Sequence, residues 1–230
     1  MISVFPVEGL PEVRAGDEIA DLVRRAVALE DGDVLVVTQK VVSKAEGRLV
    51  PIDPADPDAR RRLVLSETVR ALRQRDELII SETRHGFVCA NAGVDLSNVD
   101  HGYAALLPLD PDRSARHIRD ALRARTGLEV AVIVSDTFGR AWRHGLTDVA
   151  IGCAGIAAVV DLRGTTDATG RELAATEICV VDEIASAAEL AKGKASGNPV
   201  VVVRGVDRGW FRESSVRAEI VRPYAEDLFR

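Results

Sequence analysis

The sequence contains few aromatic residues, few cysteines and no long apolar run, and these shortages exclude several classes of protein. Cys89, Cys153 and Cys179 are odd in number and far apart, so they indicate neither a disulfide framework nor a C-x-x-C metal site. No stretch approaches the roughly 20 apolar residues that a membrane-spanning helix needs. The N-terminal residues lack the charged start and apolar run of a secretory signal, so we expect a cytoplasmic protein.

The chain also lacks an excess of positive charge, because 36 Asp and Glu residues outnumber 30 Lys and Arg residues and give a formal net charge of −6 at pH 7. Such a chain is poorly suited to nucleic acid or to an anionic membrane surface, and we expect neither as a partner. A local basic pocket for a phosphorylated ligand remains compatible with this charge. With 47% hydrophobic and 29% charged residues, the 230-residue chain has the composition of a globular protein with a substantial core.

Short apolar runs alternate with amphipathic segments along the chain. The runs at residues 34–37 and 130–134 are short and β-branched and predict buried strands. The strand–helix alternation predicts an α/β or α+β fold. We assign it to a single domain of residues 1–230, with a division into two subdomains as the alternative. No GxxxxGK[ST] motif is present, and Gly152 and Gly155 lack the strand–turn–helix context of a dinucleotide site. We therefore expect neither a P-loop nor a Rossmann site.

Other segments give more local predictions. Residues 51–60 begin with a stretch rich in proline and aspartate and predict a loop, either an excursion or a boundary between subdomains. After this loop, Leu63, Val64, Val69 and Leu72 predict the apolar face of one charged helix. Residues 135–137 follow the apolar run at 130–134 and predict the turn at which that strand ends.

Two segments, 91–98 and 135–140, each combine an acid with hydroxyl groups and a glycine. Asp95 and Asp136 are the two acids, and hard cations such as Mg²⁺ and Mn²⁺ prefer oxygen ligands. Thr137 offers a further oxygen, and Arg140 offers a cation for a phosphate or a carboxylate. Either acid is equally suited to capping a turn or a helix. Residue chemistry therefore leaves a metal–phosphate site and two ordinary turns both open.

Lys40 and Lys44 lie four residues apart, so their ammonium groups would share one face of a helix. They follow the strand at 34–37 together with the hydroxyl of Thr38, an arrangement typical of a phosphate-binding edge. The alternative is a pair of solvated lysines beside a strand.

Segments spread from residue 9 to residue 205 together resemble the coenzyme F420-0:L-glutamate ligase family, the γ-glutamyl ligases that extend the side chain of the deazaflavin coenzyme F420. The matching segments are Gly9-Leu10-Pro11-Glu12, residues 38–44 with 46–48, Ala92-Gly93-Val94-Asp95 with Ser97-Asn98, residues 136–143, 145, 147–148, 150, 152, 182–185, 192–194, 199–200 and 204–205. The matches cover nearly the whole chain, and together they are specific.

The resemblance implies an unusual mixed α+β fold that forms an interlocked homodimer. It also implies a GTP-dependent ligase, in which the γ-phosphoryl group is transferred to a carboxylate of F420-0. L-Glutamate then attacks the acyl phosphate through its amine, and GDP and phosphate are released. Mg²⁺ or Mn²⁺, together with K⁺, are the implied cofactors. Some relatives carry a C-terminal flavin-reductase-like domain, which we do not expect here.

The matched segments also imply roles for individual residues. Asp95, Asp136 and Thr137 are the implied metal ligands, and we expect Asp95, Asp136 and Arg140 to be the catalytic residues. The implied guanine-nucleotide contacts are Gly9, Leu10, Pro11, Glu12, Gln39, Lys44 and Asn98. Lys194 stands where some relatives have a further metal ligand, and a protonated lysine cannot ligate a metal. His85 and Glu82 are candidates for the base that deprotonates the glutamate amine.

Two other functions remain compatible with the same residues. A metal-dependent phosphohydrolase would use the acids without an amine acceptor, and it would release phosphate independently of glutamate. A non-catalytic guanine-nucleotide-binding module would bind GTP without turnover.

Overall fold

The computed structural model describes residues 1–193 and 197–228, and over these residues the chain is a mixture of helices and strands. The strands are β1 (Ser3–Pro6), β2 (Val34–Thr38), β3 (Leu49–Pro51), β4 (Thr68–Arg75), β5 (Leu78–Thr83), β6 (Val88–Ala90), β7 (Tyr103–Ala105), β8 (Ala131–Arg140), β9 (Arg143–Ala154), β10 (Val160–Asp161), β11 (Glu177–Ile178) and β12 (Val200–Arg204). The helices are α1 (Ile19–Ala26), α2 (Gln39–Ala45), α3 (Ala59–Glu67), α4 (Pro111–Thr126), α5 (Val180–Lys192) and α6 (Val216–Glu219), with short 3₁₀ turns at Asn91–Gly93, Arg208–Trp210 and Tyr224–Glu226. The predicted mixed α+β class is confirmed.

A five-stranded sheet of order β1-β12-β2-β8-β9 forms the centre of the molecule. Only β2 and β8 are parallel; the other neighbours are antiparallel. The valine-rich strands β2 and β12 are almost completely buried, as expected of central strands covered on both faces. The predicted strands are confirmed, because β2 contains residues 34–37 and β8 begins at Ala131.

Helices α4 and α5 both pack against β9, and α1 packs against α4. Helix α4 has clear end signals, since the Asp110 side chain accepts a hydrogen bond from the backbone N–H of Arg113 at 3.0 Å, Pro111 opens the first turn, and Gly127 ends the helix in a left-handed conformation. No helix in residues 1–193 or 197–228 is both long and apolar enough to cross a bilayer.

Gly152 in β9 lies where this strand and α4 approach each other closely. A Cβ atom at this position would lie 2.3 Å from the carbonyl carbon and oxygen of Pro111 and 2.7 Å from the backbone nitrogen of Asp112. Because these are backbone atoms, they cannot rotate away. The small-residue run around Gly152 thus permits the helix to dock on the strand.

Replacing Gly152 by alanine is expected to destabilise the fold by about 2 kcal/mol, because helix and strand must separate to admit the methyl group. Urea unfolding followed by circular dichroism measures this change. Gly139→Ala is the matched control, since its added Cβ would meet only Leu146 Cδ2, at 3.9 Å. Equal unfolding midpoints for the two variants would show that the close approach contributes nothing.

The turn predicted at residues 135–137 is wrong. Strand β8 continues through Asp136 as far as Arg140 and forms a long hairpin with β9, in which Thr137 lies opposite Asp148. The chain reverses only at residues 141–142, where Trp142 has a φ of 58°. Polar side chains made the segment look like a turn, but they bond across the hairpin rather than to their own backbone.

The single helix predicted across residues 63–72 is also wrong. Helix α3 ends at Glu67, and the chain continues directly as β4, which pairs with β5. Leu63 and Val64 do face a small second core, whereas the Val69 side chain is exposed. The β-branched pair Thr68-Val69 and the pairing with β5 outweigh the helical spacing of the apolar residues. The loop predicted at 51–60 is confirmed for residues 52–58, because Pro51 ends β3 and α3 begins at Ala59.

Candidate functional site

A cavity of about 840 Å³ opens where β2 gives way to α2 and where the β8–β9 hairpin leaves the sheet. Five separate parts of the chain supply its walls. The lining residues are Leu10, Pro11, Glu12, Val13, Thr38, Lys40, Val41, Lys44, Cys89, Ala90, Gly93, Val94, Asp95, Ser97, Asn98, Val99, Asp100, Asp136, Thr137, Phe138, Gly139, Leu146, Asp148, Glu189, Lys192, Gly193, Gly197, Asn198 and Pro199.

Most of the predicted site residues meet in this cavity. Its lining includes Leu10, Pro11, Glu12, Lys44, Asp95, Asn98, Asp136 and Thr137. The two acidic segments, some forty residues apart in the sequence, therefore share one cavity.

Gly9, Gln39 and Arg140 are not part of the cavity wall. Gly9 precedes the lining segment and is exposed, with a φ of 75°. Gln39 is completely buried, and its Oε1 accepts a hydrogen bond from Ser43 Oγ at 2.9 Å. Arg140 is exposed near the tip of the hairpin, where its Nη2 lies 3.5 Å from the carbonyl oxygen of His144. The roles expected of these three residues therefore have no support from their positions in this chain.

Lys40 and Lys44 lie on one face of α2, as predicted, and both line the cavity. The alternative of two solvated lysines is wrong, because their side chains are only 19% and 14% exposed. Lys40 Nζ lies 2.9 Å from Asp95 Oδ2, and Lys44 forms an ion pair with Glu12. Helix α2 therefore directs two cations into the cavity.

Asp95 is held firmly in its ionised form. Its backbone pairs with Ala105, and its Oδ1 accepts hydrogen bonds from the backbone N–H and the hydroxyl of Ser97, at 2.7 and 2.8 Å. Burial by itself would raise the pKa of Asp95, but the hydrogen bonds from Lys40 and Ser97 outweigh burial, so the pKa lies below its ordinary value. At neutral pH this carboxylate is negatively charged.

Asp136 behaves in the opposite way. The pKa of its carboxyl group is raised to about 7, chiefly by burial and also by the negative charges of Asp95 and Asp148, against the lowering effect of the Thr137 backbone hydrogen bond and of Lys40. Two neighbouring carboxyl groups repel each other when both are ionised. A cation bound next to Asp95 and Asp136 would therefore stabilise the ionised form of both. Perturbed carboxyl groups in a cleft are typical of functional sites.

Asp148 and Lys192 form a second charged pair in the cavity wall, which the sequence did not identify as a site. Asp148 is 2% exposed, and its Oδ2 accepts hydrogen bonds from Lys192 Nζ at 2.5 Å and from Ser135 Oγ at 3.0 Å. Lys192 Nζ also lies 2.9 Å from Ser135 Oγ and 3.4 Å from Glu189 Oε2. Both residues fall in segments that match the family, but the match assigned them no role.

Lysine usage is a signal that could have found Lys192. The sequence contains lysine only at positions 40, 44, 192 and 194, because arginine serves as the surface cation elsewhere. Lys40, Lys44 and Lys192 all line the cavity. Lys194, which stands at the position of a possible metal ligand, lies outside the described residues.

The two candidate bases, His85 and Glu82, lie outside the cavity wall. His85 Nε2 lies 2.9 Å from the carbonyl oxygen of Pro108, its ring stacks on Phe87, and burial lowers its pKa. Glu82 accepts two hydrogen bonds from Arg70, and neither His85 nor Glu82 lines the cavity. Cys89 does line it, but burial raises the pKa of its thiol to about 12, so it is not a nucleophile at neutral pH.

Comparison with known proteins agrees with the resemblance seen in the motifs. The model of the F420-0:gamma-glutamyl ligase family matches residues 9–205. Three relatives, each named coenzyme F420:L-glutamate ligase, align with 100% of this chain: the protein of Methanothermobacter thermautotrophicus is 43% identical over 99% of its own length, that of Methanopyrus kandleri is 42% identical over 98%, and that of Archaeoglobus fulgidus is 42% identical over 96%. This chain belongs to the F420-0:gamma-glutamyl ligase family.

Proposed function

We propose that this protein is a GTP-dependent ligase that adds L-glutamate to coenzyme F420-0 through γ-linked amide bonds. Full-length similarity to relatives named coenzyme F420:L-glutamate ligase supports the coenzyme and L-glutamate as substrates. The observation that carries the proposal is the shared cavity, in which Asp95 and Asp136 lie with three of the lysines of this lysine-poor chain.

The reaction has two steps, phosphoryl transfer and amide formation. A carboxylate oxygen of F420-0 attacks the γ-phosphorus of GTP, which breaks the bond to the β-phosphate oxygen and leaves an acyl phosphate and GDP. The glutamate amine then attacks the acyl carbon, loses a proton and expels phosphate. Both steps concentrate negative charge on phosphoryl oxygens, and catalysis consists mainly of positioning and charge stabilisation.

The lysines supply that positive charge. Lys40, Lys44 and Lys192 line the cavity from two different helices, so they offer cations on more than one side of a bound polyphosphate. The Lys44–Glu12 and Lys40–Asp95 pairs hold two of the ammonium groups in place before a ligand arrives. Together with Leu10, Pro11 and Asn98, Glu12 and Lys44 form the part of the wall that we assign to the guanine nucleotide.

The residues in the cavity also fit a divalent cation. Asp95, Asp136 and Thr137 present the hard oxygen atoms that Mg²⁺ and Mn²⁺ prefer. Burial above all, and then the charges of Asp95 and Asp148, raise the pKa of Asp136, so a bound cation would stabilise its ionised form. Within the described residues, no cluster of three or more His, Cys, Asp or Glu side chains forms a complete metal site. A cation held there would therefore be completed by hydroxyl, water and nucleotide oxygens, and it would neutralise charge on the phosphoryl group. K⁺ rests on the family resemblance alone.

We also propose a cytoplasmic homodimer, as the family resemblance implies. Trp142 in the hairpin is 82% exposed, and Leu146 in β9 and Leu190 in α5 are also exposed. Single exposed apolar side chains are common on monomeric proteins, so the homodimer is proposed from the family resemblance. Sedimentation equilibrium of the purified protein tests this, and a monomer at micromolar concentration would contradict the homodimer.

The ligase proposal is tested by mass spectrometry of purified F420-0 after incubation with the protein, GTP, L-glutamate, KCl and either MgCl₂ or MnCl₂. We expect the mass of the coenzyme to increase by glutamyl units, with GDP released only when both glutamate and F420-0 are present. Phosphate release that does not depend on glutamate would instead indicate the phosphohydrolase. GTP binding without turnover would indicate the non-catalytic module.

A further inference from the structure

Asp148 connects three parts of the cavity wall. Its Oδ1 accepts a hydrogen bond from Thr137 Oγ1 at 2.6 Å, and its Oδ2 accepts from Ser135 on the same strand as Thr137 and from Lys192 at the end of α5. The carboxylate is almost fully shielded from water. Such short, charge-assisted bonds in a buried place hold their donors strongly.

The bond to Asp148 determines what the Thr137 hydroxyl can offer to the cavity. A hydroxyl has one proton and two lone pairs. Because an ionised carboxylate can only accept, the Thr137 proton is directed at Asp148. Thr137 lines the cavity. Towards a ligand there, its hydroxyl oxygen therefore has only lone pairs to offer and acts as an acceptor or a cation ligand rather than as a donor.

The position of Asp148 is itself fixed from α5. Ser186 Oγ donates a hydrogen bond to the backbone carbonyl oxygen of Asp148 at 2.8 Å and lies 3.0 Å from Thr147 Oγ1. The same helix carries Lys192, so both the main chain and the side chain of Asp148 are bonded to it. These bonds from a helix fix the position of the Asp148 carboxylate, which is what a group that orients other side chains needs.

We propose that Asp148 is a positioning residue, which presents Thr137 Oγ1 as a cation ligand and holds the Lys192 ammonium group in the cavity wall as a partner for phosphate. The identity of the ligand rests on the proposed function, whereas the contacts of Asp148 do not. Asp148 acts on the ligand through Thr137 and Lys192.

Asp148→Asn tests this with little change of shape. The amide keeps one acceptor oxygen but replaces the other with an NH₂ group, which cannot accept a hydrogen bond from Lys192. We expect Mn²⁺ to bind about 10- to 100-fold more weakly in the presence of GDP, as for other groups that orient metal ligands. Electron paramagnetic resonance of free Mn²⁺ measures the affinity without any turnover, and circular dichroism shows that the variant is folded at the assay temperature.

Asp182→Asn is the matched control. Like Asp148, Asp182 is a carboxylate that joins α5 to β9, in this case through a 2.8 Å hydrogen bond from the backbone N–H of Ala150. It is half-buried and does not line the cavity. We expect Mn²⁺ affinity to be unchanged in this variant even if its thermal unfolding midpoint falls. Thr137→Val, which removes the hydroxyl group, should weaken Mn²⁺ binding. Thr137→Ser, which keeps the hydroxyl group, should bind Mn²⁺ as the native protein does.

Native-like Mn²⁺ affinity in folded Asp148→Asn would overturn the proposal, as would failure of the native protein to bind Mn²⁺ with GDP. Failure of the ligase proposal has a different signature. In that case the native protein adds no glutamyl unit to F420-0, whereas the difference in Mn²⁺ affinity between the native protein and Asp148→Asn persists.

Discussion

Replacing Asp136 by asparagine is expected to lower ligase turnover by about 1,000-fold, which corresponds to about 4 kcal/mol of transition-state stabilisation. The amide has nearly the same shape but carries no charge, so it is a poor ligand for a hard cation. Asp136 lines the cavity beside Thr137 and Asp95, where this negative charge would hold the cation that neutralises the phosphoryl group. Glutamyl addition to F420-0, followed by chromatography, measures the change.

Asp182→Asn is the appropriate control for this experiment, because burial also raises the pKa of Asp182 but the residue lies outside the cavity wall. We expect it to retain ligase turnover. Turnover of Asp136→Asn within a few-fold of the native rate would show that Asp136 is not part of the catalytic site.

The same substitution should change how stability depends on pH in chelator-treated protein. The pKa of Asp136 is 3.8 in the unfolded reference and about 7 in the folded protein. Between these values the folded state binds more protons than the unfolded state, so this group's contribution to stability falls as pH rises from about 4 to about 7 and then levels off. The loss amounts to at most about 4 kcal/mol.

Asp136→Asn removes this contribution, so the unfolding midpoint of the variant should exceed that of the native protein by an increasing margin up to about pH 7. Thermal unfolding of both proteins across this pH range measures the margin. A margin that is constant with pH would mean that Asp136 ionises normally in the fold.

Replacing Lys192 by methionine is expected to destabilise the protein by about 3 kcal/mol, although methionine fills similar space. The substitution removes the cation that lies 2.5 Å from the buried Asp148 carboxylate, and a buried ion pair that loses one partner leaves an expensive charge behind. For a chain of this size the thermal midpoint should fall by about 6–12 °C. Differential scanning calorimetry measures this shift.

Two variants make the Lys192 result specific. Lys192→Met combined with Asp148→Asn removes both charges and should recover much of the lost stability, because the two residues form one interaction. Arg163→Met removes an ion pair of similar length, 2.6 Å to Asp161, but both side chains are about half exposed, so no measurable change is expected. A double variant as unstable as the sum of the two single variants would contradict the assignment of a coupled pair.

Local sequence signals predicted the elements whose structure depends on local preferences. The β-branched runs at 34–37 and 130–134 became strands, and the spacing of Lys40 and Lys44 correctly placed both on one helical face. The same reasoning failed at Val69 and at residues 135–137, where hairpin pairing with the next strand outweighed the apparent helix and turn. Hydrogen-bonding partners eleven or more residues away leave no local signature, as the bond between Thr137 and Asp148 illustrates.

The sequence by itself determined the family of this protein and its mixed α+β class, because residue types and their spacings carry that information without coordinates. It left open whether Asp95 and Asp136 share a site, and the cavity that both residues line is a tertiary feature. Only the tertiary structure decided that Gln39 points into the core, that Arg140 stays outside the cavity and that Asp148 joins Lys192. Burial and charge interaction depend on which segments meet in space, and Asp148 and Lys192 meet across 44 residues of chain.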